Sequence, residues 1–252
     1  MRLLLVRHAE PDYSVDSLTP GGWIEAELLS RRLRRLKRVE GWFCSPLGRA
    51  RDTAAPTMEA VGAEPEILDW LQEFRGRCPD PETGRERIPW DFKPRILERH
   101  PELWRPDGWL GSPLYDGTDI PAVARETREG LARLLGRFGY TRDGLLWRCD
   151  GNRRGTIVCF CHFGIAMVVC GELLNMSPVA LWHSMCMRPS SVTSLVTEER
   201  VKGEVWWRCE AMGDTSHLAV ADRTPSTAAQ FPEIYTGQDN TEPILWDDDA
   251  EP

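Results

Sequence analysis

The chain has 252 residues, 41% of them hydrophobic and 28% charged, which provides material for one sizeable core and excludes a disordered chain. Its net charge of −8 argues against a nucleic-acid or membrane-surface binder. No apolar run approaches the roughly 18 residues of a membrane span, and the opening apolar run is too short for a signal peptide because Arg7, His8 and Glu10 interrupt it.

Residues 2–6 form a short apolar run ending abruptly in Arg7-His8-Ala9-Glu10-Pro11, which predicts a buried strand and then a loop. Thr19 as N-cap and Pro20 at the first position predict a helix, with Ala26, Leu29, Leu33 and Leu36 on its inward face. A second strand is expected over 41–45, a helix over 46–61 and a short third strand over 66–68. From 76 to about 118, prolines at 79, 81, 89, 94, 101, 106 and 113 exclude long regular elements and leave room for a short helix at 96–104. Helical periodicity returns over 119–138. A fully apolar strand follows at 156–161, then His162-Phe163-Gly164 and a helix over 165–174. Alternation over 192–197 and 205–209 predicts a hairpin.

Strands alternating with helices predict an α/β fold, three layers (α/β/α) around a mostly parallel central sheet. One domain is expected over 1–235, with an irregular lid inserted at about 76–118 and an acidic, poorly ordered arm over 236–252. Eight cysteines without a Cys-x-x-Cys pair are too dilute for a disulfide scaffold, so reduced, buried thiols in a cytoplasmic protein are expected.

Ligands in such folds bind beyond the carboxyl ends of the strands, where this chain has Arg7-His8, the 45–49 segment and His162. Two imidazoles and the guanidinium groups of Arg7 and Arg49 would meet there. Guanidinium forks match phosphate oxygens, so the natural guest is a phosphoryl group. Neighbouring cations disfavour imidazolium and keep a ring nitrogen free to attack phosphorus, provided that the other ring nitrogen is held by a hydrogen bond, with a nearby backbone carbonyl as the expected acceptor.

These residues carry a resemblance to the histidine phosphatase superfamily, in its phosphoglycerate mutase-like branch. Leu5-Val6-Arg7-His8-Ala9-Glu10 resembles its Arg-His-Gly signature, and Leu18-Thr19-x-x-Gly22-x-x-Glu25-Ala26 its Leu-Thr-x-x-Gly-x-x-Gln-Ala element. Ser45-Pro46-Leu47-Gly48-Arg49-Ala50-x-x-Thr53-Ala54 is similar to Ser-Pro-Leu-x-Arg-Ala-x-x-Thr-Ala. Leu71-x-Glu73 followed by Gly76, the strand ending at His162-Phe163-Gly164, and Asp214-Thr215-Ser216-His217-Leu218 complete six matches in family order. The resemblance implies that His8 becomes phosphohistidine, that Arg7, Arg49 and His162 cradle the phosphate, and that Glu73 is the proton donor. It implies no cofactor and no metal, with a small-molecule phosphomonoester as partner. His217 is expected to be structural, and His100 and His183 to be ordinary surface or packing residues.

The sequence departs from the pattern at several points. Ala9 stands for the usual glycine, Cys161 and Phe163 flank His162, and the spacing after Glu73 is one residue short, which leaves an ordinary salt bridge as an alternative role for Glu73. The absence of an aspartate after His162 argues against the acid-phosphatase and phytase branch. The insertion carries Trp90, Trp104 and Trp109 among many arginines, which fits either a substrate-enclosing, positively charged lid or tryptophans that anchor a loop to the core.

A phosphomonoester hydrolase is the leading expectation. A mutase is the alternative, but Pro11-Asp12-Tyr13-Ser14 stands where the mutase signature continues with tryptophan and asparagine. A non-catalytic phospho-ligand binding protein is a further reading. A metal site on Cys159, Cys161 and His162 is disfavoured, because adjacent strand residues point to opposite faces. Oligomeric state and substrate identity are left open.

Overall fold

The computed structural model describes residues 1–151, 153–228, 233–237 and 240–243. The central sheet is built from β1 (Arg2–Arg7), β2 (Val39–Cys44), β3 (Glu66–Ile67), β4 (Tyr140–Asp143), β5 (Leu146–Cys149), β6 (Thr156–Cys161), β7 (Val192–Val201) and β8 (Glu204–Asp214). The order across it is β3-β2-β6-β1-β7-β8-β5-β4. Strands β3, β2, β6 and β1 are mutually parallel. From β1 to β7 onward each pairing is antiparallel, the β7–β8 and β4–β5 pairs being hairpins.

Alternation along the central strands sorts residues between two covered faces. Leu4 and Val6 of β1, with Val158 and Phe160 of β6, meet Leu29 and Leu33 of α1 (Pro20–Leu33) and Ala50, Ala54 and Met58 of α2 (Gly48–Val61). Leu3, Leu5, Ile157, Cys159 and Cys161 face the other way. They pack with Leu131, Leu134 and Leu135 of α4 (Ile120–Gly136) and with Ile165, Val168 and Val169 of α5 (Phe163–Leu174). The sheet is thereby the middle of three layers. Thr19 caps α1, its Oγ1 accepting from the Gly22 N–H at 3.0 Å, with Pro20 in the first turn as expected.

The insertion is regular only in short pieces. A two-stranded pair (Cys78–Pro79 with Glu86–Arg87) is followed by α3 (Pro94–Arg99) and by single turns at Pro101–Trp104, Trp109–Gly111 and Pro113–Tyr115. It is nevertheless packed into the main core through Trp90, Phe92, Ile96, Leu103, Trp109 and Tyr115. Trp109 is 1% exposed and meets Trp182 and Tyr115 edge-on, whereas Trp104 is 42% exposed. Four cationic side chains of the segment are in ion pairs: Arg87 with Asp80 and Asp91, Lys93 with Glu82, Arg95 with Glu98 and Arg105 with Asp107. Trp109 therefore anchors the segment to the core.

The short helices α6 (Pro178–Ser184) and α7 (Ser216–Ala219) and the β4–β5 hairpin have no counterpart in the sequence reading. Of the arm expected to be poorly ordered, residues 236, 237 and 240–243 belong to an antiparallel pair, Glu233–Gly237 with Asn240–Pro243, separate from the central sheet. The rest of that arm lies outside the described residues. All eight cysteines are unpaired thiols, and six are buried. Among the described residues, no helix is long and apolar enough to cross a membrane.

Candidate active site

Three adjacent parallel strands end together, and their register assembles the site. Arg7 lies opposite Cys161, and the backbone N–H of His8 donates to the Cys161 carbonyl at 3.0 Å. On the far side of β6, the Ser45 N–H donates to the Phe160 carbonyl at 2.9 Å. Residues distant in sequence thus leave the sheet side by side. The rings of His8 and His162 stand 5.1 Å apart between centroids, tilted by 53°, and both are buried.

The Nδ1 of His8 lies 2.8 Å from the carbonyl oxygen of Ala9. A carbonyl can only accept, so Nδ1 carries the proton and the lone pair is on Nε2. Burial, and then the Arg7 charge, lower the His8 pKa to about 3, so the ring is neutral at ordinary pH. Burial also holds His162 well below its usual range, with His8, Arg49 and Arg7 adding to the effect. The Nε2 of His162 is 2.7 Å from Ser45 Oγ.

Arg7 donates through Nη1 to the Met187 carbonyl, and its guanidinium lies 5.8 Å from the Phe163 ring centre. Arg49, in the first turn of α2, pairs with Asp16 at 2.5 Å and lies 5.4 Å from the ring centre of Tyr13. The second oxygen of Asp16 accepts from the Gly48 N–H at 2.7 Å. A Cβ at Gly48 would lie 2.0 Å from the Asp16 carbonyl oxygen, so only glycine lets the 13–17 loop sit on this helix terminus. Arg7 Nε, Arg49 Nε and His162 Nδ1 are buried with no hydrogen-bond partner among the described residues. Buried donors of this kind are costly unless an acceptor reaches them, and a phosphate offers several acceptors at once.

Glu73 joins this group despite the shortened spacing in sequence. Its Oε1 accepts from the N–H of Phe74 at 2.8 Å and of Ile165, in the first turn of α5, at 3.1 Å. Burial raises its pKa, against the downward pull of those N–H groups and of Arg7 and Arg49. Gly164 makes the approach possible: a Cβ there would lie 2.5 Å from Trp90 and 2.7 Å from Glu73 Oε1. Trp90 is therefore the tryptophan of the insertion that reaches the site.

The structure brings together Arg7, His8, Arg49, Glu73 and His162, all named from the sequence. Ser45, Asp16 and Trp90 were not named as site residues. Ser45 had a signal, since it stands at a predicted strand end within a quoted motif, and Trp90 had one as a tryptophan of the candidate lid; Asp16 lies in an irregular segment without one. His217 is buried with Nε2 3.3 Å from Ser190 Oγ, His100 pairs with Glu102, and His183 bonds the Val179 carbonyl. Cys159 and Cys161 lie in the apolar core, where burial pushes both thiols up. Among the described residues, no three His, Cys, Asp or Glu side chains are grouped to hold a metal ion.

A probable phosphatase of Schizosaccharomyces pombe is 24% identical over 233 residues, covering 86% of this chain and 95% of that protein. A mutant phosphoserine phosphatase from Entamoeba histolytica, solved with phosphoserine, has a similar fold with TM-score 0.55 and 21% identity, over 86% of this chain and 98% of that one. The mycobacterial glucosyl-3-phosphoglycerate phosphatase has TM-score 0.57 and 21% identity, over 84% and 98%. The sequence profile of the histidine phosphatase superfamily (branch 1) matches residues 3–210, and the chain belongs to that superfamily.

Proposed function

We propose that the chain is a phosphomonoester hydrolase acting through a phosphohistidine on a small phosphorylated metabolite. The observation that carries this reading is the 2.8 Å contact from His8 Nδ1 to the Ala9 carbonyl, which leaves the Nε2 lone pair beside two arginines. Arg7, Arg49 and His162 hold the phosphoryl oxygens, and Nε2 attacks phosphorus as the bond to the ester oxygen breaks. The two guanidinium groups supply the positive charge that a metal ion supplies in other phosphatases, so the reaction runs without metal or cofactor.

Glu73 serves as the acid. Its Oε1 faces two N–H donors, so the proton resides on Oε2 and passes to the leaving alkoxide. The resulting carboxylate then takes a proton from water, the hydroxide attacks phosphorus, and inorganic phosphate leaves as Nε2 regains its lone pair. The structurally similar phosphoserine phosphatase and glucosyl-3-phosphoglycerate phosphatase support a small organic phosphate as substrate. Eight unpaired thiols fit the reducing cytoplasm.

The test is phosphate release from p-nitrophenyl phosphate in the presence of EDTA, by wild type and His8→Ala. Activity that survives the chelator, yields an acid-labile phosphoprotein and vanishes in the variant is expected. Activity retained by His8→Ala overturns the reading. Isomerisation dependent on a bisphosphate primer would move the assignment to a mutase.

A further inference from the structure

The peptide unit between Ala9 and Glu10 is engaged at both ends. Its C=O accepts from Nδ1 of His8 at 2.8 Å, and its N–H donates to Oε2 of Glu25 at 3.0 Å. Glu25 projects from the middle of α1 and is only 2% exposed. A buried carboxylate requires donors, and this one has three: the N–H of Glu10, the N–H of Ser226 at 3.2 Å on Oε1, and the Ser190 hydroxyl. Arg7 adds a nearby positive charge.

The other donors lead back to the same histidine. Ser190 has a left-handed backbone, with φ of 56°, and its own N–H donates to the carbonyl of His8 at 3.0 Å. If the Ser190 hydroxyl donates to Glu25, its oxygen accepts from His217, whose Nε2 lies 3.3 Å away. The direction of the chain is then fixed, from His217 through Ser190 to Glu25. His217 remains neutral, since burial lowers its pKa to about 4. The carboxylate thus ties together the segment after His8, the corner at Ser190 and Ser226.

We propose that Glu25 is a positioning residue for His8, acting through the Ala9–Glu10 peptide. Its negative charge pulls on the peptide N–H, which makes the Ala9 carbonyl a stronger acceptor for the Nδ1–H. That fixes the tautomer and the ring orientation. It also stabilises the positive charge that develops on the imidazole when Nε2 bonds to phosphorus. An aspartate bonded directly to a catalytic histidine does the same; here a peptide group is interposed. No proton leaves Nδ1 and none reaches Glu25 during the cycle.

This inference rests on His8 being the nucleophile, and the experiment separates the two. The rate of phosphohistidine formation in a single turnover is measured for wild type, Glu25→Gln and Glu25→Ala, alongside the affinity for inorganic phosphate and the melting temperature. Gln is isosteric, so its fold is retained and its amide oxygen can still accept the Glu10 N–H, but without charge.

A fall of about tenfold in the phosphorylation rate is expected for Glu25→Gln, and a larger one for Glu25→Ala, because a charged acceptor contributes roughly twice what a neutral one does. Phosphate affinity is expected to stay within about twofold, since Arg7 and Arg49 are untouched; a purely structural defect would move both together. A phosphorylation rate for Glu25→Gln within twofold of wild type overturns the proposal, as does a loss confined to phosphate affinity. Should Glu25→Ala fail to fold, Glu25→Gln alone decides. Absence of phosphohistidine in wild type overturns the functional reading and this inference together, whereas phosphohistidine in wild type with unchanged variants overturns only this one.

Discussion

His8 and His162 stand 5.1 Å apart between ring centroids, enclosed by protein and flanked by Arg7 and Arg49, with no carboxylate bonded to either ring among the described residues. A carboxylate bonded directly to either ring would raise its pKa. Burial and the arginines act in the opposite sense and keep both rings neutral.

That arrangement makes folding stability depend on pH. His8 titrates near 3 in the folded chain and His217 near 4, against about 6.5 when unfolded. Between those values the unfolded chain binds protons that the native chain does not, so stability falls as pH drops below about 6.5. Glu25 and Glu73 are raised by burial and act oppositely, their stabilisation being greatest at low pH and lost as pH rises through their folded values. Urea denaturation of wild type and His8→Asn at pH 7 and pH 4 isolates the His8 share. The variant is expected to lose about 3 kcal/mol less than wild type between those pH values; equal losses would count against a buried, neutral His8.

Glu73 as the proton donor predicts a dependence on the leaving group. Glu73→Gln is expected to lower kcat on an alkyl phosphate by about 10²- to 10⁴-fold. The loss on p-nitrophenyl phosphate, whose leaving group departs without protonation, is expected to be under about tenfold. Equal losses on both substrates would make Glu73 a structural carboxylate instead.

Ser45→Ala removes the partner 2.7 Å from His162 Nε2 and leaves that nitrogen buried. A buried polar atom without a partner costs about 1–3 kcal/mol. A lower unfolding free energy and a lower kcat are expected together, from denaturant titration and steady-state assay.

Gly164→Ala tests the contact between the insertion and the site. The new methyl would lie 2.5 Å from Trp90 and 2.7 Å from Glu73, so one of them must move. Overpacking of this kind costs about 1–3 kcal/mol. We expect a lower melting temperature and a kcat loss that is larger on alkyl than on p-nitrophenyl phosphate.

The two remaining insertion tryptophans are expected to differ sharply. Trp109→Ala opens a cavity beside Trp182 and Tyr115 and should cost about 3–5 kcal/mol. Trp104→Ala, at a half-exposed position, should stay within about 0.5 kcal/mol of wild type. Equal effects in denaturant titrations would contradict this packing.

Much of this protein is legible in its sequence alone. The apolar runs of β1 and β6, the Thr19 cap of α1 and the periodicity of α4 are properties of neighbouring residues, so they can be read locally. Arg7, His8, Arg49 and His162 could be read as a candidate phosphoryl site, because guanidinium and imidazole groups cluster at or just past predicted strand ends, whereas Glu73 was placed only by the resemblance to the family. Elements too short for a period, such as the β4–β5 hairpin, α6 and α7, could not be found that way.

The tertiary structure decided what touches what. Cys161 opposite Arg7 in the ladder is what sets His162 against His8, and that register is formed between segments more than 150 residues apart. The same holds for Asp16 on Arg49, for Glu73 at the first turn of α5, and for Glu25 against the Ala9–Glu10 peptide. It also separated Trp109 in the core from Trp104 at the surface, although both stand in similar proline-broken sequence. Propensity and periodicity act over a few residues, whereas these contacts depend on how sheet and helices pack, and that is determined only when the whole core closes.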